Sequence, residues 1–103
     1  MAIKQKLTLT TPVGSTFITV DQWAEVALPA EELPLFGAAK KRHDDFISSK
    51  AVSVDPFNGE IVFADEAKKD EANPLNGDMD FLIYWYRYLQ DTGITFEITV
   101  ENI

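Results

Sequence analysis

The run GITFEITVENI at 93–103 constrains the fold more than any other stretch. Ile94, Phe96, Ile98 and Val100 alternate strictly with Thr95, Glu97, Thr99 and Glu101. Successive side chains on a strand point to opposite faces, so the pattern predicts a β-strand with one apolar and one polar face. IKQKLTLT at 3–10 alternates in the same way and is a candidate partner for it.

Turn chemistry organises the rest of the β-structure. TPVG at 11–14 has Pro12 at the second position of a turn and Gly14 at the last, and TFITV at 16–20 is again β-prone. The expectation is an N-terminal hairpin of 3–10 with 16–20. A second hairpin is expected where AVSV at 51–54 and EIVFA at 60–64 flank DPFNG.

Helical spacing accounts for most of what remains. Asp21 is a candidate cap for a short helical turn, QWAEVAL, with Trp23, Val26 and Ala27 facing inward. Pro29 and Pro34 interrupt the chain after it, and AEELPLF is a docking loop or a further helical turn. From about 35 to 49 the period is helical, with Leu35, Phe36, Ala39, Phe46 and Ile47 on one face and Lys41, Asp44, Asp45 and Ser48 on the other. Residues 64–78 are polar, charged and punctuated by Asn-Pro and Asn-Gly, and are expected to form an exposed connection with one helical turn around AKKDEA.

FLIYWYRYLQ at 81–90 holds all three tyrosines and one of the two tryptophans. Two conformations compete for it. As a strand it would place Phe81, Ile83, Trp85 and Leu89 on one face, followed by an Asp91-Thr92-Gly93 loop. As a helix over about 79–91 it would have an apolar face of Phe81, Leu82, Trp85, Tyr86 and Leu89. Asp78 or Asp80 would then cap its start, and Gly93 in the left-handed conformation would close its end. Aromatic richness favours the strand. The placement of the polar residues and the Gly93–Ile94 pair favour the helix. In either form the stretch is chiefly a core anchor, since each large aromatic buries roughly 150–250 Å². Tyr84 and Tyr88, at the edges of the helical face, are candidate rim contacts for a partner.

A chain of 103 residues suits a single domain, 1–103, with one core. Apolar residues at 46% argue against wholesale disorder. The fold class expected is α+β, a mainly antiparallel sheet with two helices, about 35–49 and 79–91, packed on one face. No apolar run reaches the roughly 20 residues that span a bilayer, and the N-terminus lacks the apolar core of a signal peptide. The chain has no cysteine, hence neither disulfides nor thiolate metal sites. A soluble protein of the cytoplasm, of the producing or of a host cell, is the expectation.

Chemistry-bearing motifs are scarce. The lone histidine, His43, precedes Asp44 and Asp45, but neighbours on a helix do not face one another, so a partly buried structural role is expected. Asn76, Asp78 and Asp80 resemble the opening of a calcium loop, yet the sixth and twelfth positions hold Phe81 and Arg87 where Gly and Glu are needed. There is no phosphate-binding loop and no nucleophile elbow. The expectation is a protein that is not an enzyme and has no metal or cofactor.

Charge offers a functional reading. Net charge is −8; residues 1–50 hold six basic and six acidic side chains, and residues 51–103 hold three and eleven. Such an excess repels nucleic acid and attracts a basic protein surface. Asp65, Glu66, Asp70, Glu71, Asp78 and Asp80 are candidates to imitate a line of phosphates, with Tyr84 and Tyr88 beside them. The first expectation is therefore a small acidic inhibitor that occupies a basic or nucleic-acid-binding site on a partner. Small viral accessory proteins have this general build, an analogy of type and not of sequence. The alternative is an assembly subunit, of a virion or another complex, that self-associates through strand edges and tyrosines.

Overall fold

The computed structural model describes residues 2–14 and 19–103. Four strands, β1 (Ile3–Thr10), β2 (Ser53–Asp55), β3 (Glu60–Phe63) and β4 (Thr95–Asn102), form one sheet in the order β2-β3-β1-β4. Every pairing is antiparallel. Four helices, α1 (Val20–Ala27), α2 (Leu33–Lys50), α3 (Glu66–Glu71) and α4 (Met79–Thr92), complete an α+β fold, with a single 3-10 turn at Pro74–Asn76.

The two cleanly alternating runs pair along their whole length, from Ile3 opposite Asn102 to Thr10 opposite Thr95. β1 is therefore central, and β3 lies on its other side. This differs from the expected N-terminal hairpin. Residues 16–18 of the second expected strand lie outside the described residues, and its last two, Thr19 and Val20, are the cap and first residue of α1. The second hairpin forms as expected. Asp55 accepts from the backbone N–H groups of Phe57 and Asn58 at 3.0 and 3.2 Å, which rigidifies the DPFNG turn. The polar face of the sheet carries Lys4, which bridges Glu101 at 2.9 Å and Glu60 at 3.9 Å.

The helices lie on the opposite face. α1 is capped by Thr19 and not by Asp21: Thr19 and Gln22 exchange two 3.2 Å hydrogen bonds in a capping box, and Asp21 sits in the first turn. Val20, Trp23, Ala24 and Leu28 are buried, whereas Val26 and Ala27 are exposed. The stripe follows the i, i+4 row through 20, 24 and 28, and Val26 falls about 200° around the axis from Ala24. Pro34 opens α2 instead of breaking it, because the first turn of a helix does not need that N–H. Phe36 and Ala39 of α2 are buried, but Leu35 points to solvent.

The helical reading of 81–90 holds. Asp78 caps α4 by accepting from Asp80 N–H at 2.9 Å and Phe81 N–H at 3.3 Å. Gly93, at φ 71°, closes it with a 3.0 Å bond to the Leu89 carbonyl. The core is built where α1, α2 and α4 converge over the end of the sheet. Val20, Trp23, Leu28, Phe36, Phe81, Tyr88 and Ile94 are its large members. Trp23 meets Tyr88 edge-on at 6.0 Å between ring centroids, and Phe36 meets Tyr84 at 5.4 Å and 87°.

Candidate protein-interaction site

Five of the six acids expected to act as a line of phosphates serve local structure. Asp65 caps α3 through Lys68 N–H at 2.9 Å. Within α3, Glu71 pairs with Lys68 at 3.2 Å and Asp70 with Lys69 at 3.5 Å. Asp78 caps α4 and also accepts from Arg42 Nε of α2, while Asp80 lies 3.5 Å from another guanidinium nitrogen of the same arginine. Arg42, helped by the N–H groups of Phe81 and Asp80, holds the Asp78 carboxyl below its ordinary range. Glu66 is exposed in the first turn of α3. A carboxylate already paired with a cation has less to offer a basic partner.

The two tyrosines part company. Tyr88 is fully buried, and burial pushes its phenol up, so the rim contact expected of it is closed to a partner. Tyr84 is half-buried and lines an open groove of about 280 Å³ between α2 and α4, with Leu35, Ala38, Arg42, Asp80 and Ile83. Arg87 stacks its guanidinium 5.7 Å from the centre of the Tyr84 ring. The tyrosine exposed on α4 is Tyr86.

His43 packs its ring against Phe81, with centroids 4.2 Å apart. Its Nδ1 lies 3.3 Å from Asp44 Oδ1, so the two neighbours meet despite the expected separation on the helix. That hydrogen bond, with Lys40 on the far side, lowers the Asp44 pKa against the opposing effect of burial. No group of three metal-ligating side chains occurs among the described residues.

The conspicuous surface is β4. Among the described residues it has a neighbour on one side only, and all eight of its residues are exposed. The ladder shows which of its backbone groups are free. Leu7 N–H donates to the Gly59 carbonyl, so odd residues of β1 face β3; Ile103 N–H donates to the Ala2 carbonyl, so even residues of β1 face β4. In an antiparallel pair the bonded positions alternate. Thr95, Glu97, Thr99 and Glu101, opposite the even residues of β1, therefore bond inward. Phe96, Ile98 and Val100 direct their N–H and C=O groups outward along the free edge.

The same three residues carry the apolar stripe. Phe96, Ile98 and Val100 remain 45%, 48% and 51% exposed, although they stand opposite Leu9, Leu7 and Gln5 on the face that bears the helices. Among the described residues only Phe96 gains an aromatic neighbour, Trp85 of α4 at 6.2 Å. Natural edge strands are usually short, bulged, or marked by lysine or proline. The opposite edge, β2, follows that rule with three residues. β4 is eight residues long, pairs without a bulge, and contains neither lysine nor proline.

Strict alternation made β4 legible as a strand but not as an edge. The lack of lysine and proline over 94–103 removes the usual marks of an edge, so no local signal identified it.

No protein-family model matches this chain, and neither a characterised protein nor a solved structure matches it. Among the described residues no helix is long and apolar enough to cross a membrane.

Proposed function

We propose that this chain is a protein-interaction module of the assembly type, which binds by strand addition at β4. The observation that carries this reading is the coincidence of outward N–H and C=O groups with half-exposed apolar side chains at Phe96, Ile98 and Val100. Main-chain hydrogen bonds supply affinity in strand addition, and alternate side chains supply selectivity. The absence of cysteine fits work in a reducing compartment such as the cytoplasm.

The alternative of an acidic inhibitor at a basic site draws less support. Asp65, Asp70, Glu71, Asp78 and Asp80 each have a cap, a cation or both.

One comparison separates the two. Ile98→Lys places a charge in the middle of the β4 stripe, while a combined Glu66→Lys and Asp70→Lys variant reverses the α3 surface. Affinity capture from an extract of the source organism should lose its partners with Ile98→Lys and keep them with the α3 variant. It should also resist high salt, because strand pairing depends little on screened charge. Loss with the α3 variant alone, in a salt-sensitive manner, would favour the acidic reading and reject strand addition.

A further inference from the structure

We infer that the occupant of the β4 edge is β4 of a second copy, paired antiparallel about a two-fold axis at Ile98. The inference rests on the strand-addition reading and deepens it by naming the partner and the register.

Hydrogen-bond geometry restricts the choices first. Two antiparallel edges join only if residues with outward N–H and C=O groups face one another, which here means even positions opposite even positions. Registers that set even against odd also turn apolar side chains to the polar face. A symmetric pairing must then be centred on one residue of the strand.

Charge removes the centres next to Ile98. A centre at Glu97 puts that carboxylate opposite its own copy. A centre at Thr99 puts Glu97 opposite Glu101 of the other chain, twice. Like charges directly opposite are destabilising. Centres at Phe96 or Val100 match only one apolar pair, with Ile98 facing Ile94, which is buried, or Asn102.

The centre at Ile98 meets every requirement. Ile98 faces its own copy, and Phe96 faces Val100 in both directions, so the three outward residues bond to the three outward residues of the partner. On the other face Glu97 stands opposite Thr99 and Glu101 opposite Thr95. No acid meets an acid, and the apolar stripes become continuous. Two four-stranded sheets merge into one of eight strands, with both helix layers on the same face.

Disulfide trapping tests the register, because the chain has no cysteine of its own. Cα atoms of a bonded antiparallel pair lie about 5.5 Å apart, inside the roughly 4.4–6.8 Å that a disulfide spans. Ile98→Cys should form a covalent dimer under mild oxidation much faster than Ile83→Cys, an exposed control on α4. The double variant Phe96→Cys, Val100→Cys should also crosslink between chains, while either single variant should lag. Sedimentation of the unmodified protein over a concentration series should show a monomer–dimer equilibrium, shifted to monomer by Ile98→Lys.

A monomer at all concentrations, or Ile98→Cys crosslinking no faster than Ile83→Cys, would overturn the inference. If Ile98→Lys then still abolished capture of a different protein, the second copy would be the wrong occupant and strand addition would stand. If Ile98→Lys changed no association at all, both would fall.

Discussion

The indole Nε1 of Trp23 donates to Asp91 Oδ2 at 3.1 Å, across 68 positions of sequence, and ties α1 to the last turn of α4. Trp23 is almost wholly buried, and this bond satisfies its only polar atom. Asp91→Ala should cost about 1–3 kcal/mol, the usual penalty for stranding a buried donor. Asp91→Asn retains an acceptor and should cost less. Urea denaturation of the three proteins checks the order.

Two tyrosines on one helix should differ sharply. Tyr88 is fully buried against Trp23 and Trp85, and Tyr86 is exposed. Tyr88→Ala should destabilise by about 3–5 kcal/mol, as large aromatic truncations in cores do. Tyr86→Ala should stay within about 0.5 kcal/mol of the parent. Equal effects in thermal melts would place α4 in a different rotation.

Two glycines should respond in opposite directions to alanine. Gly59, at φ 69°, accepts from Leu7 N–H with its carbonyl, and an added Cβ would run into the Leu7 carbonyl oxygen. Gly59→Ala should cost more than about 1 kcal/mol. Gly37 is in α2 with open space around it, so Gly37→Ala should stabilise by about 0.5–1 kcal/mol. Melting temperatures would show both signs.

Stability should fall in acid, and Asp78 should contribute to the fall. Arg42 foremost, with the first N–H groups of α4, depresses its pKa. A depressed carboxylate stabilises the fold at pH values above its unfolded value, about 3.9, and the gain is lost as pH drops through the lower folded value. Asp44 and Asp55 are shifted in the same direction, the first chiefly by His43 and the second chiefly by Asn58. Asp78→Asn keeps a capping oxygen but cannot ionise. It should therefore show a shallower loss of stability below about pH 4 than the parent in acid titrations followed by circular dichroism.

Local chemistry was the part of the fold most legible in the residues. Asp78 and Gly93 marked the ends of α4 because caps depend on a few adjacent groups. Asp55 and Gly59 marked the hairpin turn for the same reason. Period-2 alternation identified both β1 and β4 as strands and made them candidate partners, and they do pair. What escaped depended on long-range placement. That β1 is central and β4 an edge follows from β3 pairing with β1, which no local pattern encodes. Leu35 and Val26 face solvent, and Tyr88 faces inward, because the angle at which each helix meets its neighbours selects the buried stripe. The acids of 65–80 looked like a recognition surface in a charge count, yet Asp65 and Asp78 are caps and Asp70, Glu71 and Asp80 lie beside cations.

Amide hydrogen exchange along β4 tests the central claim most directly. In dilute protein the N–H groups of Glu97, Thr99 and Glu101 should be protected by β1, and those of Phe96, Ile98 and Val100 should exchange quickly. On association, with a second copy or another partner, the latter three should become protected together. Protection that instead appeared at 65–71, with Phe96, Ile98 and Val100 still exchanging freely in the complex, would contradict strand addition at β4.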